Sequence, residues 1–263
     1  MSSKAIQAEL LEQRIAENVA SQEVDLVEWI FDRFPVRPED QVLELCCGTG
    51  SQSLRFLELL GDEGQLCAVD ISPRALEALA SKASARLAGR LRLVEANLDE
   101  LGRSLEKSGM QRPAFDSIFC AYGLYYSKDA TRLLNEALSW LKPGGRIAIV
   151  GPFGPNNKQL FDLVQATGAV LPAAVVDSSQ RFMLETVVPW AAANFESVAV
   201  HTMVNPVRWA AAQRVLNYWQ NTTFYDPEKR PAFENLLLRH FADHSEFVNE
   251  KWVMMVEMKH ARA

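Results

Sequence analysis

Along residues 40–152, short apolar runs alternate with segments in which apolar side chains recur every three or four positions. That alternation is the pattern of a parallel sheet covered by helices on both faces. Two opening helices precede it, one over Ala5 to Val19 and one carrying Val24, Val27, Ile30 and Phe31 behind a Ser21 cap, stopped by Pro35 and Pro38. Buried strands are predicted at 41–47, 66–71, 91–96, 115–122 and 146–151. A helix beginning near Ser51 closes at Gly61, another starts at Ser72-Pro73 and closes at Gly89, and a third covers Asp129 to Leu141 before Lys142-Pro143-Gly144-Gly145.

Beyond Gly154 the alternation loosens. A helix from Asn157 to Thr167 and a segment around Trp190 lead to strand-like runs at 197–204 and 252–258. The roughly 45 residues between these runs have helical spacing and many aromatics, too long for a hairpin turn, so a helical cap at about 206–247 is expected between strands 6 and 7. No internal repeat or low-complexity segment interrupts the chain.

Composition narrows the partners. With 48% hydrophobic and 23% charged residues the chain is an ordinary globular one. Its 27 Lys and Arg against 33 Asp and Glu leave a net charge of −6 and no basic block, so nucleic acid is not an expected partner. The uncharged run from Leu163 to Val176 is broken by Gln165, Thr167, Gly168 and Pro172, and no membrane span is expected. The opening MSSKAIQAELLEQR carries charges where a signal peptide is apolar, which points to the cytoplasm. Cys46, Cys47, Cys67 and Cys120 form neither a disulfide framework nor a zinc spacing, and no metal site is expected.

The chemistry concentrates after strand 1. Gly48 and Gly50 leave that strand, and Asp70 ends strand 2 at about the 20-residue spacing at which a carboxylate reaches ribose hydroxyls. Gly48-Thr49-Gly50-Ser51-Gln52-Ser53 is by itself also a variant of the dinucleotide fingerprint. Glu44, two residues before the turn begins at Cys46, discriminates: it would repel a pyrophosphate and stabilise an ammonium. S-adenosylmethionine offers an adenosine for Asp70 and an ammonium for Glu44, and carries no phosphate.

These segments resemble the class I S-adenosylmethionine-dependent methyltransferases, closest to the quinone and natural-product branch. VLELCCGTG (42–50), AVDIS (68–72), VEANLDEL (94–101), FDSIFCAYGLYYSKD (115–129) and LKPGGRIAIV (141–150) match the family's five motifs in order over about residues 40–152. The resemblance implies a Rossmann-like three-layer α/β sandwich with a seven-stranded, mostly parallel sheet, N-terminal helices and the helical cap between strands 6 and 7. It implies one domain over 1–263, with an N-terminal helical lid (1–38), a cofactor-binding core (39–155) and a substrate side (156–263). Cofactor contacts are implied at Glu44, Cys46, Cys47, Gly48, Gly50, Asp70, Ile71, Asn97, Leu98, Ala121 and Tyr122. Two residues depart from the family: Cys46 stands where glycine is usual, and Asn97 where aspartate is common.

The implied activity is transfer of a methyl group to O, N or C of a small organic acceptor, leaving S-adenosylhomocysteine. Such an in-line displacement needs alignment and exclusion of water more than a base. Tyr125 and Tyr126, where many relatives have histidines, are the candidates for orienting the acceptor. His201, and the pair His240 and His244 beside Asp243, read as a strand side chain and a solvated helix face, Cys120 as core. The cap's Trp209, Tyr218, Trp219, Phe224 and Tyr225, interleaved with amides, suit a mid-sized organic molecule. A homodimer is compatible with this chain. The alternatives are an enzyme using the same cofactor for cyclisation or decarboxylation, a non-catalytic protein keeping the fold, and a nicotinamide-dependent oxidoreductase.

Overall fold

The computed structural model describes residues 8–83 and 85–262, so Ala5 to Gln7 of the first predicted helix lie outside the described residues. Helices α1 (Ala8–Val19) and α2 (Leu26–Phe31) open the chain. Strands and helices then alternate as β1 (Gln41–Leu45), α3 (Ser51–Leu59), β2 (Gln65–Asp70), α4 (Pro73–Lys82), α5 (Ala85–Ala88), β3 (Leu91–Glu95), α6 (Leu101–Lys107), β4 (Phe115–Ala121), α7 (Ala130–Trp140) and β5 (Leu141–Pro152). The remainder holds α8 (Lys158–Gln165), α9 (Ala173–Val176), α10 (Val188–Asn194), β6 (Phe195–Trp209), α11 (Ala212–Gln220), α12 (Arg230–Asp243) and β7 (Phe247–Ala261).

The seven strands form one sheet in the order β3-β2-β1-β4-β5-β7-β6, and the pairings of β3, β2, β1, β4 and β5 are parallel. Four of the five residues of β1 and four of the six of β2 are buried, as expected for strands covered on both faces. Local chemistry starts the helices where the sequence places them. Ser72 accepts from Ala75 N at 3.3 Å with Pro73 at the first helical position, and Asp129 accepts from Arg132 N at 2.9 Å.

Several boundaries differ from those predicted. The helix expected to run from Ser72-Pro73 to Gly89 is two, α4 and α5. Helix α6 was not read from the sequence; its first turn follows the Asn97 cap, whose Oδ1 accepts from Asp99 N at 3.0 Å. Strands β6 and β7 are 15 residues each, longer than the runs at 197–204 and 252–258. Trp209 therefore belongs to a strand, and the helical insert begins only at Ala212. Between α9 and α10, residues 177–187 coil with π-helical spacing.

The chain divides into two compact units. The sheet unit comprises Leu26–Gly151, Leu184–His201 and the residues from Met254 on. Its core contains Phe34, Phe56 and Phe119, with Phe56 and Phe119 centred 5.3 Å apart edge to face. The helical unit comprises the described residues up to Asp25, Pro152–Met183 and Thr202–Val253. Its core gathers Leu160, Val164, Trp209, Trp219, Phe233 and Phe247 among others. Within it, Arg208 N donates to Ser21 O at 2.8 Å, and Val24 and Asn205 exchange two hydrogen bonds at 3.0 and 2.8 Å, which fasten the segment after α1 onto β6.

A buried ion pair joins the start of the sheet. Arg146 Nη2 donates to Asp40 Oδ2 at 2.8 Å, with side chains only 12% and 4% exposed. Arg146 Nε donates to Ser117 Oγ at 3.0 Å, Arg37 N donates to Asp40 Oδ2 at 3.1 Å, and the guanidinium lies 4.8 Å from the Phe34 ring centre. Removing one partner strands a desolvated charge. Arg146→Met should lower the free energy of unfolding by about 3–5 kcal/mol in urea titration, and adding Asp40→Leu should restore part of the loss.

Candidate functional site

The carboxyl ends of β1, β2 and β4 are neighbours, since Leu45 pairs with both Val69 and Cys120. From β1 to α3 the chain reverses through Cys46–Gly50, with positive φ at Cys46 (57°), Gly48 (54°) and Gly50 (93°). A side chain at Gly50 would stand 2.4 Å from Leu79 Cδ1, so both conformation and space demand glycine there. Asp70 stabilises the reversal: its Oδ2 accepts from Gly48 N and its Oδ1 from Ser72 N, each at 2.9 Å. Each carboxylate oxygen keeps lone-pair capacity for a further donor.

Glu44 is 2% exposed, and its carboxyl accepts from Ser53 Oγ at 2.5 Å, in the first turn of α3. Burial pushes the Glu44 carboxyl up to about 8, against the lowering effect of the Ser53 hydrogen bond and with a smaller raising effect from Asp70. Glu44 is therefore mostly protonated at neutral pH. Cys46 forms a thiol hydrogen bond with Cys120, which together with burial holds it protonated; burial does the same for Cys47. Neither is a thiolate nucleophile at neutral pH.

The backbone carries the next strands to the same edge. Ala96 N donates to Asp70 O at 2.9 Å, bringing Asn97 and the buried Leu98 beside β2, with Ile71 following Asp70. Asn97 is exposed and spends one Oδ1 lone pair on Asp99 N. After β4, Ala121 and Tyr122 are half-buried, Tyr122 has φ 56°, and its N donates to Val150 O at 2.9 Å. The 3₁₀ turn Leu124–Tyr126 carries Tyr125 and Tyr126, both half-buried, their rings 4.8 Å apart. Ser127 Oγ donates to Asp99 Oδ1 at 2.6 Å and ties this turn to the segment after Asn97.

The predicted cofactor residues thus surround one edge of the sheet unit. Three participants were not singled out from the sequence. Ser53, the last position of the glycine fingerprint, holds Glu44; Lys82 Nζ donates to Thr49 O at 3.1 Å; and Gly123 makes room for Cys46. Cys120 is fully buried, the His240 and His244 rings stack 4.5 Å apart on the helical unit, and among the described residues no cluster of three or more metal-ligating side chains occurs.

Residues 42–145 match a family model described as a methyltransferase domain. The chain is 35% identical over 124 residues to 2-phytyl-1,4-naphtoquinone methyltransferase of Trichormus variabilis, covering 47% of this chain and 51% of that one. Residues 42–145 are therefore similar to a methyltransferase domain. A Marinomonas ubiquinone/menaquinone biosynthesis C-methyltransferase is 29% identical over 161 residues, 58% of this chain and 61% of that relative. The chain spans about half the length of the first of these curated relatives. A Bacillus halodurans structure described as a putative methyltransferase shares the fold, with TM-score 0.60 and 10% identity over 89% of this chain and 98% of that one.

The matched region 42–145 contains every residue of the sheet-edge site, whereas His201, His240 and His244 fall outside it. Its departure at Cys46 has a structural counterpart, because a methyl group at Gly123 would meet Cys46 Cβ and Sγ at 2.3 Å. Gly123→Ala should cost about 1–3 kcal/mol through overpacking. Cys46→Gly, which removes both atoms, should recover most of that loss in the double variant. Additive losses in thermal and urea unfolding would show that the two positions are independent.

Proposed function

We propose that the chain is an S-adenosylmethionine-dependent methyltransferase acting on a small organic acceptor. The carrying observation is the pair of acids at the β1–α3 reversal: Asp70 beside the glycine loop, and Glu44 buried beneath the first turn of α3. A pyrophosphate at that turn would hold Glu44 in its neutral form and gain no ion pair from it, whereas the ammonium of an amino acid tail draws the carboxyl into its charged form and pairs with it. The similarity to quinone methyltransferases supports the same reading.

In this reading Asp70 accepts the ribose hydroxyls, Glu44 receives the ammonium directly or through water, and Asn97 accepts from the adenine amino group. Ile71, Leu98, Ala121 and Tyr122 supply the walls, and Cys46, Cys47, Gly48 and Gly50 the loop. The bound sulfonium supplies an electrophilic methyl group. Tyr125 and Tyr126 orient the acceptor with their hydroxyls, and their ring faces favour a cationic neighbour. Residues 39–155 form the cofactor part of one functional domain, and residues 1–38 and 156–263 serve the acceptor. The acidic charge balance favours a small molecule over nucleic acid, with the cytoplasm as compartment. Among the described residues no helix is long and apolar enough to cross a membrane.

Asp70→Ala should weaken binding of S-adenosylhomocysteine at least about tenfold in calorimetry, with NADH showing no comparable affinity for the unmodified chain. Tyr125→Phe and Tyr126→Phe should each lower kcat more than they change cofactor affinity. Full turnover in both would remove the tyrosines from acceptor positioning.

Glu44 adds a pH signature. Its carboxyl is protonated below about 8 in the free protein, and an ammonium beside it favours the carboxylate. Binding at pH 7 should therefore release a proton, and affinity should rise with pH until about 8 and then level off. Calorimetry in buffers of different ionisation enthalpy measures the proton directly, and Glu44→Gln should abolish the release.

A further inference from the structure

The helical unit contains a second polar cluster, outside the sheet-edge site. Lys251 Nζ donates to Tyr218 Oη at 2.7 Å and to Asn157 Oδ1 at 2.5 Å, and lies 4.4 Å from the Tyr218 ring centre. Asn157 is itself fixed by Asn249 Nδ2 at 2.9 Å, so the ammonium is positioned by a built support. Tyr218 is 7% exposed. Burial pushes its hydroxyl up, but the charges of Lys251 and Arg14 and hydrogen bonds from Lys251 and Asn18 outweigh burial, and the net direction is down.

Acids are engaged elsewhere. Glu17 on the same helix as Arg14 accepts from Arg214 Nη2 at 3.0 Å, and Glu250 accepts from Trp252 Nε1 at 3.1 Å. Among the described residues, neither Arg14 nor Lys251 has an ion pair within 4.0 Å. Buried atoms with no hydrogen-bond partner in the protein gather in this unit: Arg14 Nε, Asn18 Oδ1, Ser21 Oγ, Trp209 Nε1 and Trp219 Nε1. Arg14, Asn18 and Ser21 follow one another at helical spacing, and the Trp209 ring is centred 5.0 Å from that of Tyr218.

Arg14 Nε and the two indole nitrogens can only donate. A buried donor left unpaired costs about 1–3 kcal/mol, and two cations sharing a buried phenol repel one another. A cluster serving stability alone would be completed by an acid from the chain. A carboxylate from outside answers both demands, since its oxygens accept and its charge neutralises.

We propose that Arg14, Asn18, Tyr218 and Lys251 form a binding site for an organic carboxylate within the helical unit. Titration of the full chain with benzoate and with uncharged benzamide, at constant ionic strength, tests it. Benzoate should bind at least about tenfold more tightly than benzamide. Arg14→Gln and Lys251→Met should each weaken benzoate by about tenfold while leaving S-adenosylhomocysteine affinity within about twofold. Should Lys251→Met fail to fold, Arg14→Gln on the half-buried face of α1 decides alone. Equal affinity for the two probes, or benzoate binding indifferent to both substitutions, overturns the site.

Discussion

Strand β1 lies between β2 and β4 with four of its five residues buried, so the chain leaving it must reverse at the sheet's edge within a few residues to begin α3. That reversal uses positive φ at positions 46, 48 and 50, and the rest of the site follows from it. Left-handed residues alternating in a short loop turn backbone N–H groups toward a common side. One of these, Gly48 N, is taken by Asp70, while Cys47 N reaches Val69 O at 3.1 Å and Gly50 N reaches Cys47 O at 3.0 Å. The loop is thus closed by its own hydrogen bonds and pinned to β2. A ligand arriving there meets a fixed surface and does not have to order it, which preserves affinity that ordering would otherwise consume.

The same geometry makes position 46 the strained point. A non-glycine residue in the left-handed region costs roughly 1–2 kcal/mol. Cys46 occupies it, and the space its side chain needs is found over Gly123, after β4. Glycine at 46 would free the backbone; cysteine at 46 transfers the demand for a missing side chain to 123. The Cys46 thiol faces Cys120 and stays protonated, so it acts as a packing group. Strain confined to a ligand-facing turn is the usual place for it, because the surrounding sheet over-determines the loop.

How much of this could be read from residues alone depended on how far each feature is local. The alternation through β5 was legible because strands buried on both faces are continuous apolar runs, and Gly50 and Asp70 announce the turn and the end of β2 by their chemistry. The cap boundary was not, because Trp209 has both strand-like bulk and a place in the helical spacing of the following alanines. Its burial in the helical unit's core, beside Tyr218 and Phe247, decides for the strand. Helix α6 was missed because seven residues give barely two turns of periodicity. The residues 177–187 were indistinct because π-helical coiling displaces side chains from the 3.6-residue register that such patterns rely on. The Glu44–Ser53 contact was half legible: both residues stood in the quoted motif, but that one buries the other is a property of how α3 sits on β1.

The two units handle buried charge in opposite ways. In the sheet unit an acid is buried and left mostly neutral, because one serine hydroxyl does not repay the loss of water around a carboxylate. In the helical unit two cations stand near a buried phenol, helped by amides and by no acid among the described contacts. Each arrangement is incomplete in one sense of charge only. A protein selected solely for stability would have met the first deficit with a lysine or arginine and the second with an aspartate or glutamate, both of which the chain has in number. Leaving both open disfavours the free state by a small amount in each place, and a ligand of the matching sign recovers that amount on binding. Under the two proposals, the sign of the missing charge is what selects the ligand: a cationic amino acid tail for the first, an organic acid for the second.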